Sequence, residues 1–242
     1  MAVYDLEEQE QLDELKTWWR LHGNTVTALV TVVALALAGW QGWNWWQHKA
    51  HGEASAIYNT LQEAAGLRDA KRSRELAGML IDQYSRTSYA GMGALVAAKV
   101  QVDAGDRKNA RVQLEWALTN ASDPALRELA RLRLVTVLLD EQAYDEASAK
   151  LSSPALAGFE TRHAELTGDV LASQGKATEA KAAYVMAIEH IGKHAKTTGQ
   201  PVAGAERSEN AMRDFINSKI DALGGLAQSQ ALPATDKAGA SK

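Results

Sequence analysis

The 242-residue sequence contains no cysteine. This absence excludes disulfide frameworks, thiol nucleophiles and every zinc or iron–sulfur site that is built on thiolates. Proline is scarce as well, with four in the chain and none before Pro124. Aromatic residues make up 6% of the sequence, yet six of its seven tryptophans fall between Trp18 and Trp46. The N-terminal region therefore differs in character from the rest of the chain.

The chain also lacks an excess of positive charge. Its formal net charge is −4, from 26 Lys and Arg residues against 30 Asp and Glu residues. Residues 1–20 hold six acids and two bases, so they account for the whole imbalance. A protein that binds nucleic acid through phosphates needs a basic face, and no long run of Lys or Arg occurs. We therefore expect no nucleic-acid partner.

Between Arg20 and Lys49 there is no Asp, Glu, Lys or Arg. Crossing about 30 Å of hydrocarbon takes a helix of roughly 20 residues, and residues 22–43 supply that length. Tryptophans border this stretch on both sides, as indole rings do at the two interfaces of a membrane; they are Trp18, Trp19, Trp40, Trp43, Trp45 and Trp46. The pattern predicts an acidic cytoplasmic segment over residues 1–21 and one transmembrane helix over residues 22–46, in contact with membrane lipid.

Two other interpretations of the apolar stretch stay open at this point. Residues 36–38 (Ala-Leu-Ala) resemble a signal-peptide cleavage site, although the region before them is longer and more acidic than a signal peptide requires. A buried helix of a soluble core would also be apolar, although such helices rarely carry tryptophans at both ends. Lys16 and Arg20 precede the stretch and Lys49 follows it, so the positive-inside rule favours a cytoplasmic N-terminus.

The composition from Glu53 onward is that of an all-α domain. Ala, Leu, Glu, Lys and Gln, which are good helix formers, dominate this region. No segment shows the sustained alternation of apolar and polar residues that is typical of strands. We expect helices over residues 54–65, 74–84, 89–104 and 205–223. A loop is predicted over residues 193–204, and residues 224–242 are predicted to form a disordered tail.

A short pattern recurs within this helical region. A residue that ends one helix, such as Gly105 or Gly175, is followed five residues later by a small Ala that lets the next helix pack closely. Ala110, Ala147 and Ala180 are 37 and 33 residues apart, against a tetratricopeptide period of 34 residues. The pattern predicts a tetratricopeptide-like domain of helical hairpins over residues 47–223. The residues that we expect to pack the repeats are Ala110, Ala147, Gly168, Ala180, Tyr184 and Ala187.

The order of these features resembles the YfgM family of Gram-negative inner-membrane proteins. Four stretches carry the resemblance, namely residues 12–19 (LDELKTWW), 39–46 (GWQGWNWW), 84–90 (YSRTSYA) and 166–184, which include one repeat. It covers residues 1–223. The resemblance implies a single-pass type II protein of the inner membrane, with its repeat domain in the periplasm. It further implies association with the SecYEG translocon and with a PpiD-like chaperone.

No catalytic or metal-binding motif is evident in the sequence. His190 and His194 are four residues apart and could share a helix face, but Gly192 lies between them and no third ligand or HExxH motif is present. A solvated helix C-terminus is the alternative interpretation of this pair. The chain has neither a P-loop nor a GxSxG motif. We therefore expect no enzyme activity, no cofactor and no small-molecule substrate.

A tetratricopeptide stack offers a concave surface that the first helix of each hairpin lines. Projecting the repeat onto this chain places six polar residues in that groove, namely Lys99, Asp103, Thr136, Arg162, Glu165 and Asp169. They either bind a partner segment or only keep the groove soluble. We expect a membrane-anchored, non-enzymatic scaffold at the translocon that assists in handling translocated proteins. The alternative is a tetratricopeptide-type assembly factor or regulator in envelope biogenesis or stress signalling.

Overall fold

The computed structural model describes residues 4–198 and 205–230, and all regular secondary structure in these two segments is α-helical. The predicted all-α class is therefore confirmed. The helices of the described segments are α1 (Tyr4–Gly66), α2 (Ala70–Tyr84), α3 (Ser88–Asp103), α4 (Arg107–Asn120), α5 (Pro124–Asp140), α6 (Tyr144–Leu151), α7 (Glu160–Ser173), α8 (Ala177–Thr198) and α9 (Ala205–Gln230).

The chain divides into two compact units, Met1–Glu53 and Ala54–Lys242. The first unit contains the greater part of α1. Two threonines of its apolar stretch satisfy their hydroxyl groups within the helix, since Thr27 Oγ1 donates to the Gly23 carbonyl at 2.7 Å and Thr31 Oγ1 donates to the Thr27 carbonyl at 2.8 Å. Such bonds let hydroxyl groups lie in apolar surroundings without an unpaired donor.

The second unit consists of four helical hairpins followed by α9. The hairpins are formed by the end of α1 with α2, α3 with α4, α5 with α6, and α7 with α8. Their turns share one geometry, in which a residue of positive φ follows the first helix; these residues are Arg68 (56°), Gly105 (79°), Gln142 (59°) and Gly175 (77°). In every turn the N–H of this residue bonds the carbonyl three residues earlier, and the next N–H bonds the carbonyl five residues earlier. This is the Schellman arrangement, which satisfies carbonyls at a helix end.

The core lies between the helices of the hairpins and between neighbouring hairpins. One apolar cluster joins the end of α1 to α2 and α3, a second joins α3 to α7, and a third joins α7, α8 and α9. The first helices of successive hairpins are in contact, because α5 touches both α3 and α7. Arg133 Nη1 of α5, for example, donates to the Leu95 carbonyl of α3 at 3.2 Å. The polar side chains that these first helices carry are therefore brought to neighbouring positions.

Several helix boundaries differ from the sequence-based expectation. Helix α2 begins at Ala70 rather than at residue 74, because the Asp69 side chain caps it by accepting the N–H of Arg72 at 2.9 Å. Helix α8 continues to Thr198, so residues 193–198 of the predicted loop are helical and residues 199–204 lie outside the described residues.

Helix α9 extends into the segment that was predicted as a tail from residue 224. Helix α9 continues to Gln230, since Leu, Ala and Gln at positions 226–228 favour a helix despite the two glycines before them. Residues 231–242 of that tail lie outside the described residues. Helices predicted over residues 22–46 and 54–65 are parts of α1, in a region where no proline interrupts the chain.

Candidate functional site

The segment Trp18–Gln41 of α1 is, among the described residues, the helix that is long and apolar enough to cross a membrane. Its large side chains face outward, and Leu35, for example, is 68% exposed. A core helix of a soluble protein buries such side chains, so this exposure argues against the buried-helix interpretation. Lipid is the solvent that would cover a surface of this kind.

The tryptophans at both ends of this segment are exposed. Trp18 and Trp19 lie at one end, where the Trp18 ring stacks on His22 with the ring centroids 5.4 Å apart. Trp40, which is 67% exposed, and Trp43 lie at the other end. The 22 residues from Trp18 to Trp40 span about 33 Å of helix, which matches the hydrocarbon thickness of a bilayer. The side chains of Trp45 and Trp46 lie outside those that the structure describes.

Three of the six predicted groove residues lie on α3 and α5. Lys99 Nζ and Asp103 Oδ2 form an exposed ion pair at 2.6 Å, one turn apart on α3. Thr136 of α5 is half-buried and donates to the Leu132 carbonyl at 3.3 Å. An exposed ion pair of this kind contributes little to stability. Lys99 and Asp103 can therefore separate and bind groups of a partner protein at a small cost in free energy.

The other three predicted groove residues lie on α7 and belong to an ion cluster with α9. Glu165 is fully buried and accepts from Arg162 Nη1 and from Lys219 Nζ, each at 2.7 Å. Lys219 Nζ also lies 2.7 and 2.8 Å from the two carboxylate oxygens of Asp169. Glu165 and Asp169 were expected to line an open groove. In the structure their carboxylates instead bond Lys219, so α9 lies against this face of α7.

Burial and hydrogen bonding set the protonation of this cluster. Burial opposes the ionisation of Glu165, but the hydrogen bonds from Lys219 and Arg162 outweigh it and hold the pKa of this carboxyl below its usual value. Burial raises the pKa of Tyr184, and the hydrogen bond that its hydroxyl donates to Asp169 at 2.8 Å raises it further. At neutral pH the cluster thus contains an ionised Glu165 and a protonated Tyr184.

The residues that were expected to pack the repeats lie in the core. Ala110, Ala147, Ala180 and Ala187 are fully buried. Gly168 of α7 lies under the ring of Tyr184 of α8, and a Cβ atom at position 168 would overlap that ring. The tyrosine thus fills the space that the glycine leaves, and its hydroxyl reaches Asp169 in the ion cluster.

Lys219 completes the ion cluster and was not predicted from the sequence. The final helix was predicted from the helical spacing of its apolar residues, and Lys219 sits inside that stripe, between Ile216 and Leu223. A cation at a position where the period demands an apolar side chain is a signal for a buried acidic partner. The partner itself lies some fifty residues away, so local spacing does not identify it.

The described residues form an exposed apolar helix surface and polar helical faces. Among the side chains that the structure describes, no group of three or more His, Asp or Glu residues could hold a metal ion. His190 lies on α8, and the side chain of His194 is outside those described. The arrangement therefore offers an apolar segment for a membrane and helical faces for other proteins.

Comparison with known proteins agrees with this geometry. A family model described as "Tetratricopeptide repeat-like domain" matches residues 16–225, a range that includes the apolar segment as well as the four hairpins. A protein of Neisseria gonorrhoeae named "Ancillary SecYEG translocon subunit" is 32% identical over 227 residues, which cover 92% of this chain and 100% of the relative. The chain belongs to the YfgM family.

Two further proteins with the same name extend this similarity. The relative from Haemophilus influenzae is 30% identical over 188 residues, or 76% of this chain and 90% of its own. The relative from Escherichia coli is 25% identical over 189 residues, or 78% of this chain and 90% of its own. This YfgM family member is a membrane-anchored protein with a tetratricopeptide-like domain, and both the resemblance and the architecture inferred from its sequence are confirmed.

Proposed function

We propose that this YfgM family member is a non-enzymatic scaffold of the SecYEG translocon that assists in handling translocated proteins. The observation that carries the proposal is the extent of the family match, which begins at residue 16 and ends at residue 225. The membrane segment and the hairpins are thus matched together, and the relatives that share them are named translocon subunits.

The proposal places the N-terminus in the cytoplasm and the repeat domain in the periplasm. Lys16 and Arg20 on one side of the apolar segment, against Lys49 on the other, support this type II orientation. A single transmembrane helix confines the protein to the plane of the membrane and so raises its effective concentration near other membrane proteins. A PpiD-like chaperone is the periplasmic partner that we propose.

The proposal assigns binding to two surfaces, one on the membrane segment and one on the repeat domain. The exposed apolar side chains of the membrane segment, such as Leu35, would contact lipid and the transmembrane helices of the translocon. The polar face of the first helices, where Lys99 and Asp103 are exposed, would bind segments of chaperones or of emerging proteins. Neither surface requires a bound metal or cofactor.

Photocrosslinking in native membranes tests this proposal. A photoreactive amino acid is placed at Leu35 in the membrane segment, at Lys99 on α3, and at Lys108 on α4 as a matched exposed control. We expect adducts with SecY from position 35 and adducts with a periplasmic chaperone from position 99, and neither from position 108. A protein that resides in the membrane but gives no translocon or chaperone adduct from either position would contradict the proposal.

A second variant separates translocon binding from simple anchoring. Replacing residues 22–43 by an unrelated apolar helix of equal length keeps the anchor but removes its particular side chains. We expect this variant to stay in the membrane fraction and to lose the SecY adduct. An assembly factor that works through its repeat domain alone would keep its partners in this variant.

A further inference from the structure

Helix α9 is held to the hairpins by few side chains. Among its side chains that the structure describes, from residue 207 to residue 224, Ile216 and Leu223 are buried and the others are exposed or half-buried. Met212 and Phe215 are large apolar residues of α9 that remain 39% and 50% exposed. The described contacts of α9 with the hairpins include three aliphatic side chains, Ile216, Ile220 and Leu223, and the lysine among them.

Lys219 contacts two carboxylates and one tyrosine of α7 and α8. We name this set of side chains the acidic socket and define it as Glu165, Asp169 and Tyr184. Lys219 Nζ bonds both carboxylates at 2.7 Å, while the Tyr184 hydroxyl donates to Asp169. The ammonium group also lies 5.7 Å from the centroid of the Tyr184 ring, within the range of a cation–π contact. The side chain of Lys219 is 21% exposed and that of Glu165 is fully buried.

The acidic socket cannot be left empty without cost. Two carboxylates would then face one remaining cation, Arg162, and the buried Glu165 would lose one of its two donors. A buried charge without its partner is strongly unfavourable. The apolar surface beside the socket, which includes Ala187 and Ile191, would be exposed as well. Any occupant must therefore supply a cation and aliphatic side chains together.

The spacing on α9 defines the shape of such an occupant. Ile216, Lys219 and Leu223 follow one another at intervals of three and four residues, which places them on one face of a helix. Helix α9 contacts α8 and reaches α7 through Lys219. The surface is thus built to receive a helix rather than an extended segment.

We propose that the acidic socket is a binding site for a lysine-bearing amphipathic helix of a partner protein, and that α9 occupies it as an internal competitor. The partner is identified by its chemistry: a helix that presents a lysine three residues after one aliphatic residue and four residues before another. This inference concerns a surface of the repeat domain and goes beyond the proposed function, because it does not depend on the identity of the membrane partner.

Binding of a synthetic α9 peptide in trans tests the proposal. The probe is a fluorescent peptide of residues 205–230, added to the full chain in lipid nanodiscs, and binding is followed by fluorescence anisotropy. The chain carries either its natural sequence, Lys219→Glu to expel its own α9 by charge repulsion, or Arg213→Glu as a matched charge reversal on α9 outside the socket. Hydrogen exchange of α7 and α9 is measured in parallel.

We expect the Lys219→Glu chain to bind the peptide at least tenfold more tightly than the natural chain and the Arg213→Glu chain. Its α9 should lose protection from hydrogen exchange while α7 keeps it. A peptide that carries Lys219→Met should bind this chain at least tenfold more weakly than the natural peptide does.

Four results would overturn the proposal. The first is unchanged protection of α9 in the Lys219→Glu chain, which would mean that the lysine does not hold the helix. The second is a released α9 with no binding of the peptide. The third is loss of protection in α7 as well, which would make α9 an integral part of the fold. The fourth is exchange of α9 between two copies of the natural chain, which would assign the socket to a swapped dimer.

Discussion

At the scale of single residues, the hairpins touch through small side chains. In each of the four hairpin turns, the residue of positive φ is followed five positions later by a fully buried residue, and these are Ser73, Ala110, Ala147 and Ala180. Three of them are the alanines from which the repeat was inferred. Ser73 occupies the same position in the first hairpin, where its hydroxyl oxygen has no hydrogen-bond partner among the described residues.

Replacement of this serine should stabilise the protein. A buried hydroxyl without a partner costs about 1–3 kcal/mol, and Ala is also the better helix former, so we expect Ser73→Ala to raise the free energy of unfolding by about 1–2 kcal/mol. Urea unfolding of the full chain in detergent, followed by far-UV circular dichroism, measures this change. The control is Ser173→Ala, an exposed serine that bonds the Asp169 carbonyl, where the change should stay within about 0.5 kcal/mol.

Gly168 should respond to alanine in the opposite direction. The added Cβ atom would overlap the buried ring of Tyr184, so the ring or the backbone must shift, and overpacking of this kind costs about 1–3 kcal/mol. Gly78→Ala on α2 is the matched control, since a Cβ atom there meets nothing within 4 Å. That variant should be stabilised by about 0.5–1 kcal/mol. Equal effects of the two substitutions would contradict the packing described for Tyr184.

The contribution of Glu165 to stability should depend on pH. Because the pKa of its carboxyl is lowered in the folded chain, its stabilisation is complete above the unfolded pKa of about 4.3 and is lost as the pH falls through the lower folded value. We expect Glu165→Gln to lower the free energy of unfolding by about 1–3 kcal/mol at neutral pH. The unfolding free energies of the two proteins should converge as the pH falls through that lower folded pKa. A difference that does not change with pH would contradict the assigned ion pair.

At the scale of elements, the four hairpin turns share one backbone geometry but not one residue type. Gly105 and Gly175 adopt positive φ without steric cost, whereas Arg68 and Gln142 adopt it with a side chain. We expect Gln142→Gly to raise the free energy of unfolding by about 0.5–1 kcal/mol and Gly175→Ala to lower it by about 1 kcal/mol. Urea unfolding checks both. A destabilising Gln142→Gly would show that the exposed side chain makes a contribution that exceeds the strain.

The residue types of these turns decide which hairpins can be predicted from the sequence. The glycines at positions 105 and 175 mark their hairpins, because glycine is the usual residue at positive φ. The hairpin at position 68 carries Arg in the turn and Ser73 at the small position, so neither residue type identified it as a repeat. The helical period extended the prediction to most of the remaining elements.

The ion cluster between α7 and α9 lay beyond sequence-based prediction for a different reason. Glu165 and Asp169 were expected to face a groove, since the repeat pattern places their positions on its inner face. What the pattern does not contain is the pairing with Lys219, which is separated from them by 54 and 50 residues. Contacts of this range are decided by how the last helix packs, and local periodicity carries no information on that.

At the scale of the whole molecule, the chain combines one candidate membrane segment with a domain of helical hairpins. The composition fits this division, because the stretch without acidic or basic residues ends before Lys49 and the four hairpins lie in the second unit. The described side chains form an exposed apolar segment and polar helical faces. We propose that the segment stays in the membrane as a permanent anchor, with the hairpins on its periplasmic side.

The sidedness of introduced cysteines tests this claim most directly, since the natural chain has none. Glu8→Cys and Lys108→Cys are labelled separately with a membrane-impermeant maleimide, in cells whose outer membrane alone has been made permeable and again after lysis. We expect the cysteine at position 108 to react before lysis and the cysteine at position 8 to react only after lysis, both in a full-length chain of the membrane fraction. Reaction at position 108 after lysis alone, or a mature chain that lacks residues 1–40, would contradict it.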